Sequence, residues 1–336
     1  MIKLIISFSP SLLFLFCLQM LDSYKLVKIK TVALLLFLGS IAAMAAYFIN
    51  INLIGILDID VHQYSKFVAP VVEEILKASF IIYFVLKKRI AFLVDSAIFG
   101  FSVGVGFAIL ENIYYMNNMG EVHLLIWILR GFGTAIMHGC TTAIYSMIIK
   151  YSLERFHKIN LIMIPLLLSV PVIIHGSFNS FIISPIAFTM IQLTLTPLLF
   201  YIVFVSSEQQ LKSWLELSLE SNHELLAAIN EGMLLETKVG VYLQTLKNKY
   251  SPLVLVDLLC YIRIYIELSM LAKGLLIMRE VGINNTIIEE IKFKLDEIKY
   301  LGKTIGFTGK MAIQPIIYNE KGIDWINDLL GKSRAT

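Results

Sequence analysis

Glu73, Glu74 and Lys77 lie in the stretch VVEEILKASF, Glu111 in GFAILENIYY, His138 in AIMHGCTTA, and His175 with Asn179 in VIIHGSFNS. Each surrounding stretch is otherwise apolar enough to sit in lipid. A charged side chain at the bilayer centre costs at least ~2.5–3.5 kcal/mol on insertion scales, so ionisable residues held there point to a use. Carboxylates, imidazoles and an amine are the groups that activate water. Spread over four consecutive apolar segments, they predict one site assembled by four helices inside a membrane.

Spacing places these groups on helix faces. Glu73 and Lys77 are four residues apart and share a face, with Glu74 adjacent. Phe107 and Glu111, His138 and Thr142, and His175 and Asn179 are also four apart. Two carboxylates beside a lysine let one ionise while the other keeps a proton or a partner, which is the tuning a general base needs. A purely adhesive role is the weaker reading. Intramembrane hydrogen bonds average only ~0.6 kcal/mol, and Ser, Thr or Asn would supply them at lower desolvation cost. Gly100 and Gly104 read as close-packing positions, Asp95 and Arg130 as residues near the interfaces without a role in the chemistry, and His223 as a surface or packing residue.

The elements that must position these groups follow from composition. Across 336 residues the hydrophobic share is 57% and the mean hydropathy is +0.77, too high for a soluble chain. Apolar windows of about 20 residues, the length a helix needs to cross a bilayer, recur. They run approximately Leu4 to Leu21, Thr31 to Ile49, Phe67 to Leu86, Ala91 to Tyr115, Gly131 to Ile149, Leu161 to Ile183 and Ile186 to Val205. EVHLLIWILR, before the fifth span, is an interfacial helix or an extension of that span. No small-x-small cleavage site follows the first span, which reads as retained. Past Ser206 the composition turns polar, with apolar residues at helical spacing in four segments, the last GIDWINDLLGK. The expected fold class is all-α: a polytopic membrane helix bundle of about seven transmembrane helices over residues 1–205, and a C-terminal cytoplasmic helical domain over 206–336.

Orientation follows from the loops. Lys25, Lys28 and Lys30, then Lys87, Lys88 and Arg89, then Lys150, Arg155 and Lys158 mark one side, while Asp58, Asp60 and Glu121 mark the other, with Lys66 the basic exception. The N-terminus is expected outside and the C-terminal domain in the cytoplasm. At ~1.5 Å per residue, Glu73, Glu111, His138 and His175 then share a layer roughly 9–12 Å below the outer helix ends. The net charge of +3 and the absence of a basic run with aromatics give no support to nucleic-acid binding. Three scattered cysteines, Cys17, Cys140 and Cys260, make neither a disulfide framework nor a CxxC motif.

EEILK (Glu73 to Lys77), FAILEN (Phe107 to Asn112), the His138 helix and HGSFN (His175 to Asn179) resemble the successive motifs of the PrsW family of intramembrane proteases, over roughly Phe67 to Val205. The related CAAX prenyl endopeptidases have similar motifs, with a histidine where this chain has Glu111. The resemblance implies an endopeptidase that hydrolyses a membrane-protein substrate near the outer face, linked to site-1 cleavage of an anti-sigma factor. It implies as partners that substrate and the lipid bilayer, and leaves the C-terminal domain open to a cytoplasmic regulator. The position of Asn179 is Asp or Asn among such relatives.

On this reading Glu73 or Glu74 is the general base toward water, and Lys77 holds the carboxylate pair ionised and oriented. His175 and Asn179 donate hydrogen bonds to the tetrahedral oxyanion, a role worth ~2.7–4 kcal/mol per donor. Glu111, His138 and His175 also form a two-histidine, one-carboxylate set for Zn2+ with a position left for water. PrsW proteins are commonly classed as metalloprotease-like, whereas the CAAX enzymes resemble a glutamate-activated, metal-free design. No HExxH settles the matter, and the reading leans slightly to metal-free chemistry with zinc open. Two other classes stay open: a proton- or ion-coupled membrane transporter, against which no inverted repeat is visible, and a non-catalytic membrane scaffold or immunity protein.

Overall fold

The computed structural model describes residues 2–22, 27–87, 89–90, 92–120, 122–156, 162–247, 249–280 and 289–317, with Ile326 and Leu330. Lys25, Lys88, Glu121 and Lys158, used above for orientation, lie outside the described residues, as does most of GIDWINDLLGK. In chain order the helices are α1 (Ile2–Leu21), α2 (Ile29–Leu57), α3 (Val61–Phe67), α4 (Ala69–Leu86), α5 (Leu93–Asn118) and α6 (Leu124–Ile128). A π-helical segment, Leu129–Ala135, leads from α6 into α7 (Ile136–Phe156), followed by α8 (Met163–Asn179) and α9 (Pro185–Asn230). A 3-10 turn, Leu234–Glu236, precedes α10 (Lys238–Leu246), α11 (Pro252–Glu280), α12 (Glu289–Thr304) and α13 (Gly306–Ile317). Among the described residues no strand occurs. The chain divides into two compact units, Met1–Ser207 and Glu208–Thr336.

Five helical stretches among the described residues are long and apolar enough to cross a membrane: Ile2–Leu21, Ile29–Leu57, Leu93–Asn118, Leu124–Phe156 and Pro185–Ser213. The other two segments expected to span are also helices. α4 holds Glu73, Glu74 and Lys77 within 18 residues, which lowers its apolarity. α8 has 17 residues and stops at Asn179, short of the expected Ile183, because Phe181 turns into the left-handed region at φ 51°. Of EVHLLIWILR, Leu124 to Arg130 extends its span, continuous through the π-helical segment. The helix of the last expected span runs on past Val205 to Asn230. From Leu198 to Asn230 there is neither Pro nor Gly to stop it, so the change from apolar to charged residues alters the surroundings but not the backbone.

In the first unit α5 is central. From Asp95 to Ala108 every residue is buried, and α2 and α7 pack on it. Gly100 and Gly104 face α7, where a Cβ on Gly104 would run into the His138 carbonyl and one on Gly100 into Thr142 and Ala143. That close approach brings the His138 turn against α5. The apolar core joins Leu15, Val32, Ile98, Phe101, Ile136 and Phe200, with a second cluster around Leu35, Ile81, Phe99 and Tyr145. Large apolar side chains point outward instead, among them Phe16, Phe37, Phe48, Ile173 and Leu195. Lipid solvates such faces, whereas water would leave an unusually large exposed apolar surface.

The second unit is built on α11, against which α12 and α13 pack. Leu258, Ile262, Tyr265, Leu268, Ala272 and Leu276 form its buried stripe, and Ile291, Leu295, Ile298 and Leu301 that of α12. Steps of three and four mark an amphipathic helix. Gly306, at φ 66°, makes the break between α12 and α13.

Candidate active site

The buried stripe of α4 is Pro70, Glu74, Lys77, Ala78, Ile81 and Val85, steps of three and four along one face. Glu74 and Lys77 therefore enter the protein on the same stripe as apolar anchors, and Glu73, one position round the helix, lies at its edge. Side-chain exposure is 1% for Glu74 and 14% for Glu73, which separates two chemically identical groups.

Glu74 is saturated. Its Oε1 accepts from Lys77 Nζ at 2.6 Å, from His175 Nδ1 at 2.9 Å and from Thr141 Oγ1 at 3.2 Å. Lys77 Nζ also lies 2.9 Å from His138 Nδ1 and 4.7 Å from the Phe107 ring centroid. An ammonium can only donate, so Nδ1 of His138 accepts and its Nε2 carries the proton, which it gives to Glu111 Oε2 at 3.1 Å. By the same rule a carboxylate can only accept, so His175 Nδ1 holds a proton for Glu74. Its Nε2 then lies 3.7 Å from Glu73 Oε2. The two imidazoles meet edge to face, with ring centroids 4.7 Å apart.

The structure thus brings Glu73, Glu74, Lys77, Glu111, His138 and His175 into one contiguous cluster contributed by α4, α5, α7 and α8. Asn179 turns elsewhere: its Nδ2 donates to the Ser65 carbonyl at 3.0 Å and ties α8 to α3. Thr142 caps the His138 carbonyl at 2.9 Å, and it is Thr141, on the preceding position, that reaches Glu74.

One donor atom each from Glu73, His138 and His175 lie within 4.8 Å of one another. Two imidazole nitrogens and a carboxylate oxygen suit a zinc-type ion. The bond from His175 Nδ1 to Glu74 orients that ring as carboxylates orient metal-binding histidines. His138 has protein partners on both ring nitrogens, so it would exchange one of them to ligate. The carboxylate in this group is Glu73, where the sequence reading placed Glu111. Glu111 lies instead on His138 Nε2 and 3.4 Å from Arg130 Nη2.

Several participants were not singled out from the sequence. Asn50 Nδ2 donates to Glu73 Oε1 at a long 3.5 Å, and Tyr64 OH donates to Asn50 Oδ1 at 2.9 Å. α3 itself, capped by Asp60 accepting from His62 and Gln63 backbone amides, was not anticipated. Arg130 touches Glu111 rather than standing apart at the interface. The only signal available was polarity: Asn50 immediately after the apolar run Thr31 to Ile49 and Thr141 three residues after His138.

A sequence model of the family described as "PrsW family intramembrane metalloprotease" matches residues 28–206. This range contains every residue of the cluster. No curated protein and no solved structure matches the chain. The chain belongs to the PrsW family of intramembrane metalloproteases, and membership supports a multi-pass membrane protease acting on a membrane-embedded protein substrate.

Proposed function

We propose that this protein hydrolyses a peptide bond of a membrane-protein substrate, with Glu73 as the group that takes the proton from water. The observation that carries this reading is the asymmetry of the glutamate pair. Glu74 is buried with three donors on one oxygen, whereas Glu73 keeps an accessible edge and one long hydrogen bond. A base must be reachable by water and have a free lone pair. Glu73 meets both needs, and Glu74 instead orients His175 and Lys77.

Water bound at Glu73 Oε2 adds to the scissile carbonyl carbon as its proton passes to the carboxylate. The same proton then goes to the departing amine nitrogen as the C–N bond breaks. With its Nδ1 proton given to Glu74, His175 would donate to the oxyanion from Nε2 only as the doubly protonated imidazolium, and Asn179 would use its remaining amide proton. Lys77 supplies the fixed positive charge beside the glutamates. The donor set would hold a divalent ion through Glu73, His138 and His175, and such an ion supplies carbonyl polarisation and acidification of water.

The basic residues Lys28, Lys30, Lys87, Arg89, Lys150 and Arg155 support a seven-span topology with the N-terminus outside, the second unit cytoplasmic and the site in the outer half. An outer-half site suits site-1 cleavage of an anti-sigma factor, and the second unit would then receive a cytoplasmic regulator. Reconstituted protein with a single-span anti-sigma reporter tests the reading. Wild type is expected to cut near the outer face and Glu73→Gln to leave the reporter whole. Cleavage by Glu73→Gln at the wild-type rate removes Glu73 from the mechanism.

A further inference from the structure

We infer that Arg130 is a positioning residue of this site: it holds the Glu111 carboxylate on His138 Nε2 and thereby fixes the orientation of the His138 ring, whose tautomer Lys77 already sets from Nδ1. The inference rests on the protease reading for its kinetic consequence but not for its geometry. Arg130 Nε donates to Asn112 Oδ1 at 2.7 Å. Its guanidinium carbon lies 3.9 Å from the centroid of the Tyr115 ring. Its Nη2 is 3.4 Å from Glu111 Oε2, the oxygen that also meets His138 Nε2. Asn112 is itself buried and reaches the Ser7 carbonyl at 3.4 Å. A stacked, hydrogen-bonded guanidinium has little freedom, and lysine cannot copy a planar fork held in this way.

The backbone explains why Arg130 arrives there. It sits in the π-helical segment Leu129–Ala135. Such turns mark functional sites and change the angular offset that a regular α-helix would impose on His138, eight residues on. Gly131 packs so closely on α1 that a Cβ would run into the Ile6 carbonyl, which fixes the segment at its start.

Charge accounting assigns Arg130 to Glu111. The cluster has three carboxylates, Glu73, Glu74 and Glu111, and Lys77 lies on Glu74. Arg130 is the cation in contact with Glu111. A buried charge is kept only when paired. With Glu111 held as an acceptor, His138 must present Nε2–H to it, and Nδ1 is left to accept from Lys77. Arg130 so acts on the ring without touching a reacting atom. Nη2 is buried and makes no hydrogen bond, so a small movement of Glu111 on substrate binding completes the contact. Active-site bonds commonly tighten in this manner in the occupied enzyme.

The test joins kinetics with a spectroscopic readout. In proteoliposomes, Arg130→Gln is expected to lower kcat about 10–100-fold, as loss of a partner behind a functional histidine does. KM should stay within about twofold, since a positioning residue does not bind substrate. Arg130→Lys should recover part of kcat. In histidine-15N-labelled, metal-free protein, the His138 Nε2–H signal, assigned by its loss in His138→Gln, should carry the downfield proton shift of a bond to a carboxylate in wild type and move upfield in Arg130→Gln. If Arg130→Gln does not fold, Asn112→Leu keeps the arginine, removes its Nε acceptor and should give a smaller change in the same direction. An unchanged His138 Nε2–H shift in the variant overturns the inference, as does a rise in KM with kcat intact. If the wild-type protein cleaves nothing while the His138 Nε2–H shift still depends on Arg130, the protease reading fails and this one stands.

Discussion

Glu73→Gln and Glu74→Gln are the same chemical change on adjacent residues, and the geometry demands opposite outcomes. Glu74 is the counter-charge of Lys77, whose side chain is 0% exposed. Replacing it with an amide leaves a buried ammonium without an anion, a loss of ~3–5 kcal/mol. The bonds from His175 and Thr141 fall from charge-assisted to neutral, about 1 kcal/mol each. The sum, roughly 5–7 kcal/mol, is a large fraction of a typical ~5–15 kcal/mol of folding stability. Glu73 has one long bond to Asn50, so its amide variant should lose at most ~1 kcal/mol. Its activity should fall ~10²–10⁴-fold with the loss of the base. Thermal unfolding followed by tryptophan fluorescence in detergent, run beside the reporter assay, reads both quantities. Glu74→Gln as stable as wild type, or Glu73→Gln as fragile as Glu74→Gln is expected to be, would refute the division of labour between the two carboxylates.

If Glu73, His138 and His175 hold Zn2+, metal depletion should lower both cleavage and the unfolding temperature and Zn2+ should restore them, the ion stabilising the fold by mass action, about 2.7 kcal/mol at 100-fold excess over Kd; full activity after verified depletion would assign the chemistry to the glutamate alone. Gly104→Val should destabilise by at least ~1–3 kcal/mol, since its side chain would displace the His138 backbone; wild-type melting and kcat would show that α5 and α7 are not packed as described. Asn179→Ala should lose ~1 kcal/mol with its bond to Ser65 and lower kcat more than it raises KM. A change confined to stability would restrict Asn179 to tying α8 to α3.

Much of this protein is legible in its sequence because lipid imposes severe rules. Runs of about 20 apolar residues mark spanning helices, so α1, α2, α5 and α9 stand near their expected places, and a glutamate or histidine within such a run advertises itself by its cost. Helical periodicity also places Lys77 on a face it shares with a glutamate. What periodicity could not decide is which glutamate that lysine serves. Glu73 is four residues from Lys77 and Glu74 three, and both spacings meet on a helix. Only the packing of α7 and α8 against α4, which puts Thr141 and His175 on Glu74, separates a locked carboxylate from a free one. For the same reason spacing could not test Glu111, the carboxylate read from the sequence into a zinc-type set, against Glu73, which the folded chain brings beside both histidines. Glu111 and Glu73 lie on different helices, and which one comes within reach of both His138 and His175 depends on helix rotation, set by side chains distant in sequence. Arg130 shows the limit most plainly. A charged residue at a helix end is ordinary in sequence, and its role depends on a π-helical turn, a tyrosine from another helix and an asparagine beside Glu111, which come together only in the folded chain.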